Sequence, residues 1–192
     1  MQYDHNKYHR RSVRLRGYDY SRPGAYFFTL CLENKDEWLF GNVKHGEMQS
    51  TEFGNIVWDE WRRTPDMRCE MVLDSFVVMP NHIHGIIWIV SGRGIRPDAP
   101  TMHAPIHKIP TLTVAEKHGP SKRSLGAFAA GFKSITTRRI NEIRQTPRVP
   151  VWQRNYNEHI IHNEGELNRI RQYIAENPAK WERDKENPNR LL

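Results

Sequence analysis

Residues 71–90, MVLDSFVVMPNHIHGIIWIV, contain two β-rich runs that are separated by Pro80-Asn81. The runs 71–79 and 82–90 are almost continuously apolar, which is typical of central strands that are covered on at least one face. They predict two neighbouring strands in the middle of a sheet. The segments on either side of them indicate the class of fold.

Upstream of this pair, residues 25–32 form another β-rich run that is bounded by glycine and by charged residues, which predicts a strand. Residues 40–43 and 47–49 predict a short hairpin. Apolar residues at positions i, i+3, i+4 and i+8 then follow Thr51, which can cap a helix whose apolar face they form.

Downstream, apolar residues at helical spacing predict a second helix from Leu125 to Ile143, and residues 151–161 predict a fourth main strand. Asn163, with Glu166 three residues later, predicts the cap of a last helix that ends before Pro178. The order β, α, β, β, α, β, α predicts an α+β fold: a ferredoxin-like βαββαβ sandwich with an added C-terminal helix.

Composition and charge restrict the class of protein. The chain has 192 residues, of which 38% are hydrophobic and 27% charged, as expected for one globular domain. Its longest apolar run is far shorter than the roughly 20 residues of a membrane span. No signal peptide is visible, and two cysteines exclude a disulfide framework, so we expect a cytoplasmic protein without membrane contact. The net charge of +7 favours a phosphate-rich partner.

The distribution of residue types predicts three regions along the chain. Residues 1–24 form a basic N-terminal arm, residues 25–181 form the folded domain, and residues 182–192 form a polar tail. Within the domain, residues 91–123 hold five of the twelve prolines and predict a long exposed loop. The arm contributes four arginines that can contact phosphates: Arg10, Arg11, Arg14 and Arg16.

His82 and His84 lie in the predicted strand 82–90 as a His-x-His pair. Side chains at positions i and i+2 of a strand point to the same face, so both imidazoles can converge on one metal ion. For an isolated pair of this kind, the alternative is that both histidines are surface or hydrogen-bonded strand residues.

Tyr173 and Asn177 are four residues apart on the last helix and therefore neighbours on one face. A tyrosine can attack a phosphodiester and hold the cut strand as an ester, and an amide oxygen one turn away can complete a metal site. The alternatives are that Tyr173 packs in the core and that Asn177 only ends the helix before Pro178.

Taken together, these motifs resemble those of the single-tyrosine HUH transposases, the insertion-sequence transposase family that includes the REP-associated tyrosine transposases. The resemblance depends on MPNHIHG at 79–85 and YIAENP at 173–178, in that order. It is supported by GYDYS at 17–21, FKS at 132–134 and WQRNYNEHI at 152–160, and it covers about residues 10–181.

The resemblance implies metal-dependent nicking and strand transfer on single-stranded or hairpin DNA, through a 5′-phosphotyrosine intermediate, by a monomer or a homodimer. Tyr173 matches the nucleophile carried on the added helix, and His82, His84 and Asn177 match the ligands of Mg²⁺ or Mn²⁺. We expect the DNA backbone to contact the four arginines of the arm together with Lys133, Arg138 and Arg139.

Two other functions remain open at this point. The first is a non-catalytic, single-stranded nucleic-acid-binding protein of ferredoxin-like fold, which would use the same basic residues but form no covalent adduct. The second is a zinc-dependent hydrolase that uses His82 and His84. That function needs a third strong ligand, and no His-Glu-x-x-His or Cys-x-x-Cys pattern supplies one.

Overall fold

The main sheet has four antiparallel strands. The two runs predicted as central strands lie side by side, but only the second, 82–89, is central, whereas 71–78 forms an edge of the sheet. Apolar side chains of this edge strand pack on both faces of the sheet, so its composition is that of a central strand. The computed structural model describes residues 18–90 and 123–190. Its elements in chain order are β1 (Gly24–Cys31), β2 (Gly41–Lys44), β3 (Glu47–Ser50), α1 (Glu52–Arg62), α2 (Thr64–Met67), β4 (Met71–Val78), β5 (His82–Ile89), α3 (Leu125–Arg144), β6 (Asn157–Ile161), α4 (Glu164–Glu176) and a 3-10 helix (Pro178–Arg183). The order in the sheet is β4-β5-β1-β6, and β2 and β3 form a separate hairpin.

The α+β class is confirmed, and so is the predicted order of the main elements. The two helix caps that the sequence predicts are also observed. Thr51 Oγ1 accepts a hydrogen bond from Gly54 N at the start of α1, and Asn163 Oδ1 accepts one from Glu166 N at the start of α4. Each bond satisfies an amide that the first turn of a helix leaves without a partner.

The strand predicted over 151–161 is shorter in the structure, where β6 begins at Asn157. Trp152 makes only an isolated bridge to Leu32. The carbonyl groups of Gln153 and Arg154 accept hydrogen bonds from Lys133 Nζ at 2.8 and 2.9 Å. Because these carbonyls turn towards the lysine, the chain leaves the sheet between Trp152 and β6.

Alternation along the central strands separates two packed faces. Ile83 and Ile87 point to the face that α1 and α3 cover, where they join the larger apolar cluster. Gly85 lies on the same face, and a Cβ atom there would be 2.8 Å from the ring of Phe28. On the opposite face, Ile86 packs with Ile174 of α4 in a smaller cluster.

Three predicted features extend beyond the described residues. The arm residues Arg10, Arg11, Arg14 and Arg16 lie outside them, and so do residues 91–122 of the predicted loop and the last two residues of the chain. Within the described part of the chain, no helix is both long enough and apolar enough to cross a membrane.

Candidate active site

His82 and His84 lie next to each other on the face of β5 that α4 covers. Both side chains are buried, and their Nε2 atoms are 3.1 Å apart. His82 Nδ1 is 2.9 Å from Asn81 Oδ1, and His84 Nδ1 is 2.8 Å from Thr29 Oγ1. Each ring is thus held through Nδ1 while Nε2 faces the other ring. This is the convergence that the i, i+2 spacing predicts.

Burial keeps both imidazoles neutral. Desolvation lowers the pKa of His82 to about 3, and the positive charges of Lys185 and Lys35 act in the same direction. Burial also lowers the pKa of His84 well below its ordinary value, with His82 adding to the effect and Asp184 opposing it. A neutral imidazole has a lone pair for a metal ion, whereas a protonated one has none.

Tyr173 projects from α4 towards this pair. Its hydroxyl oxygen is 3.1 Å from His84 Nε2, and its ring meets Phe27 edge to face. The residue is 38% exposed, which excludes a fully buried core position. Burial, with the negative charge of Asp184, raises the pKa of Tyr173 to about 12, so the hydroxyl is protonated at neutral pH.

Asn177 follows α4 one turn after Tyr173 and is buried. Its Nδ2 donates a hydrogen bond to Asp184 Oδ2 at 3.2 Å, while its Oδ1 is buried with no hydrogen-bond partner. A buried acceptor without a donor is costly. A cation at this position would satisfy the oxygen.

Asp184 is the site residue that sequence analysis missed, because it lies in the segment assigned to the polar tail. Its carboxylate and the ring nitrogens of His82 and His84 all lie within 4.8 Å of one another, and all three residues are buried. Two imidazoles, a carboxylate and the free amide oxygen of Asn177 form a donor set that suits a divalent cation. Trp181, a buried aromatic residue at the end of the predicted domain, was the available signal that the chain still packs against the domain where the tail begins.

An ion pair holds α4 on the sheet. Arg171 donates from Nε to Asp74 Oδ1 at 2.8 Å and from Nη2 to Asp74 Oδ2 at 2.5 Å. Trp88 Nε1 donates to the same carboxylate at 2.9 Å. Paired bonds between a guanidinium and a carboxylate restrict orientation as well as distance. Because Asp74 belongs to β4 and Arg171 to α4, this pair fixes the helix that carries Tyr173 against the sheet.

The predicted DNA-binding residues on α3 do not lie at the histidine pair. Lys133 and Arg138 line an open cavity of about 610 Å³ between α3 and residues 147–154, which also contains Arg148 and Arg154. Arg139 instead forms an ion pair with buried Glu60 at 2.6 Å. The cavity belongs to the α3 side of the sheet, opposite to α4, so contacts there and at Tyr173 would need a partner that extends around the domain.

The fold is that of a tyrosine transposase. A REP-associated tyrosine transposase, solved bound to a REP hairpin, aligns with 88% of this chain and 74% of its own chain at a TM-score of 0.56 and 19% sequence identity. The resemblance expected from the sequence is thereby confirmed at the level of fold.

No protein-family model matches the chain. An uncharacterized protein of Haemophilus influenzae is 38% identical over 185 residues, which cover 95% of each chain. The chain belongs to the same family as this protein.

Proposed function

We propose that the protein cuts and rejoins single-stranded DNA through a covalent bond between Tyr173 and the DNA. The observation that carries this proposal is the 3.1 Å separation of the Tyr173 hydroxyl and His84 Nε2, beside two further groups that suit a cation. The transposase fold supports it, and the related solved structure, which holds a hairpin, supports a DNA partner.

His82, His84, Asp184 and Asn177 are the residues that would hold the divalent ion, which we expect to be Mg²⁺ or Mn²⁺. The bound ion would draw negative charge from the oxygens of the scissile phosphate and make its phosphorus a better target for a nucleophile. The neutral rings support this assignment, since neither histidine has to lose a proton before it binds a cation.

Tyr173 supplies the nucleophile. Its oxygen would form a bond to phosphorus and lose its proton, the bond from phosphorus to the 3′ oxygen would break, and that oxygen would take up a proton. The products are a 5′-phosphotyrosine and a free 3′-hydroxyl. Attack by a 3′-hydroxyl on the phosphotyrosine reverses these steps: it restores the phosphodiester and releases Tyr173. Because one phosphodiester is exchanged for another, strand transfer needs no nucleotide hydrolysis.

The basic residues would bind the DNA backbone at positions distant from the cleaved phosphate. Arg138, Arg148 and Arg154 line one open cavity, which supports phosphate binding there. Lys133 lines it as well, but its Nζ already donates to the carbonyls of Gln153 and Arg154. Arg139 is engaged with Glu60, so we expect it to contribute less than its neighbours. Contact between DNA and the arm arginines remains a prediction.

A zinc-dependent hydrolase is the second candidate, because Asp184 provides the third strong ligand that the sequence pattern lacked. In such an enzyme a metal-bound water would be the nucleophile, and Tyr173 would contribute little. The position of the Tyr173 hydroxyl, 3.1 Å from His84 Nε2 on a partly exposed side chain, favours the tyrosine instead.

The test uses a hairpin DNA with single-stranded flanks, labelled at one end, with Mn²⁺ or Mg²⁺ and analysis on a denaturing gel. Wild-type protein should give a metal-dependent cut. When the label is at the 3′ end, it should also give a labelled adduct that survives denaturation, because Tyr173 is joined to the 5′ phosphate of the downstream fragment. Tyr173→Phe should give neither product. The matched control is Tyr156→Phe, which removes the hydroxyl of another partly buried tyrosine and should retain both.

Cleavage by a folded Tyr173→Phe protein would overturn the proposed nucleophile. If that cleavage required Zn²⁺ and formed no adduct, the zinc-dependent hydrolase would replace the tyrosine mechanism as the proposed function. DNA binding with no cleavage under any metal condition would favour the non-catalytic binding protein.

A further inference from the structure

Asn81 lies next to the histidine pair and is almost completely buried, yet each polar atom of its side chain has a partner. Its Nδ2 donates hydrogen bonds to two backbone carbonyls, Lys35 O at 2.7 Å and Glu186 O at 2.8 Å. Its Oδ1 faces His82 Nδ1 at 2.9 Å. A side chain with this number of bonds in the interior is held in one orientation.

This orientation determines where His82 carries its proton. Carbonyl oxygens only accept hydrogen bonds, so the two carbonyls identify which end of the amide is the NH₂ group. The oxygen end is then the one that faces His82, and it too can only accept. Nδ1 of His82 must therefore carry the hydrogen. In a neutral ring, Nε2 is left with a lone pair directed at the position between the two histidines.

The same amide is bonded to the segment that supplies Asp184. The Glu186 carbonyl accepts from Asn81, and the Glu186 amide donates to Asp184 Oδ1 at 2.7 Å. The Glu186 side chain also forms an ion pair with Lys35, whose carbonyl is the other acceptor of Asn81. One side chain is thus connected to an imidazole on β5 and to a carboxylate about one hundred residues later.

We propose that Asn81 is a positioning residue of the metal site: it holds His82 in the Nδ1–H form and keeps the Asp184 segment in place beside the two rings. The effect of Asn81 on metal binding rests on the proposed function. The tautomer of His82 is a property of the metal-free protein, so it can be measured whether or not the protein cleaves DNA. Residues that orient metal ligands in this way typically change metal affinity by about 10- to 100-fold when they are removed.

The first measurement is a long-range ¹H–¹⁵N NMR spectrum of the metal-free wild-type protein, in which the two nitrogen shifts of His82 identify the tautomer. We expect Nδ1–H. Asn81→Ala removes the acceptor and should allow the Nε2–H form to appear. Asn81→Asp keeps an acceptor oxygen but loses both donors, so it should retain Nδ1–H. This variant remains informative if the alanine variant fails to fold.

The second measurement is Mn²⁺ affinity by titration calorimetry. Asn81→Ala should bind Mn²⁺ about 10- to 100-fold more weakly than wild type. The control is Asn141→Ala, which removes another buried amide whose Nδ2 donates to a backbone carbonyl, Val149 O, on the α3 side of the sheet. It should keep the His82 tautomer and an affinity within about twofold of wild type, whatever it does to stability.

The outcomes separate the two proposals. An Nε2–H form in metal-free wild-type protein would overturn the role of Asn81 and leave the proposed function intact. An Asn81→Ala protein with the wild-type tautomer and affinity would do the same. Wild-type protein that binds no Mn²⁺ would overturn the metal site and, with it, the metal-related role of Asn81.

Discussion

On the face of the sheet that carries Ile83, side chains from β1, β5, α1 and α3 form a continuous aromatic and aliphatic core. On the face that carries His84, the buried apolar cluster is much smaller, and an ion pair from Arg171 to Asp74 and the contact of Tyr173 with His84 add polar links between α4 and the sheet. Apolar burial stabilises the first face, whereas hydrogen bonds and charges with modest net stability organise the second. The comparison indicates that one face maintains the fold while the other carries the candidate active site.

Two adjacent residues offer the sharpest test of this comparison, because Ile83 and His84 point to opposite faces. Ile83→Ala should lower the free energy of unfolding by about 2 to 5 kcal/mol through a buried cavity. His84→Ala should change stability less but abolish metal-dependent cleavage. Urea unfolding and the gel assay measure the two effects. Equal loss of stability in both variants, with cleavage retained by His84→Ala, would contradict the division between the faces.

Gly85 tests how tightly the apolar face is packed. A methyl group there would approach the Phe28 ring to 2.8 Å, closer than van der Waals contact. We expect Gly85→Ala to lower the free energy of unfolding by about 1 to 3 kcal/mol, since overpacking forces neighbours to shift. Thermal unfolding followed by circular dichroism measures the change. A variant as stable as wild type would mean that the side chains on this face can shift to accommodate the methyl group, despite their close packing.

The histidine face should make stability depend on pH in metal-free protein. Folding lowers the pKa of His82 to about 3 and lowers that of His84 as well, while an unfolded histidine titrates near 6.5. Between about pH 6.5 and 3 the unfolded chain binds more protons, so stability is lost as pH falls, by up to about 1.4 kcal/mol per unit for each histidine. His84→Gln should reduce this slope in urea titrations with chelator. An unchanged slope would mean that His84 is not buried as a neutral ring.

The smallest expected effect concerns DNA affinity on the α3 side. Arg138 and Arg148 line the cavity there. Replacing both with alanine should reduce the slope of log affinity against log salt by up to about 0.7 for each phosphate of a single strand that the variant no longer neutralises. Arg62→Ala, at an exposed position of α1, is the control and should leave the slope unchanged. A slope unaffected by the double change would remove this cavity from the DNA interface.

Local signals account for the elements that sequence analysis located correctly. Thr51 and Asn163 cap helices because their side chains reach the amides of the next turn, which requires no information from distant residues. The period of two residues in a strand brings His82 and His84 to one face for the same reason. The class of fold and the convergence of the two histidines could therefore be predicted from local signals, whereas Tyr173 and Asn177 were named through the resemblance to the transposases.

Contacts between distant segments were decided by the tertiary structure. Tyr173 meets His84 across 89 positions of the chain, and Asp184 joins the histidines from a segment whose composition alone indicated a polar tail. Arg139, which was itself expected to contact DNA, pairs with Glu60 of α1. Periodicity and capping are local properties that one segment contains, whereas the partner of a buried polar group depends on which elements pack together, and that is decided only when the whole chain folds.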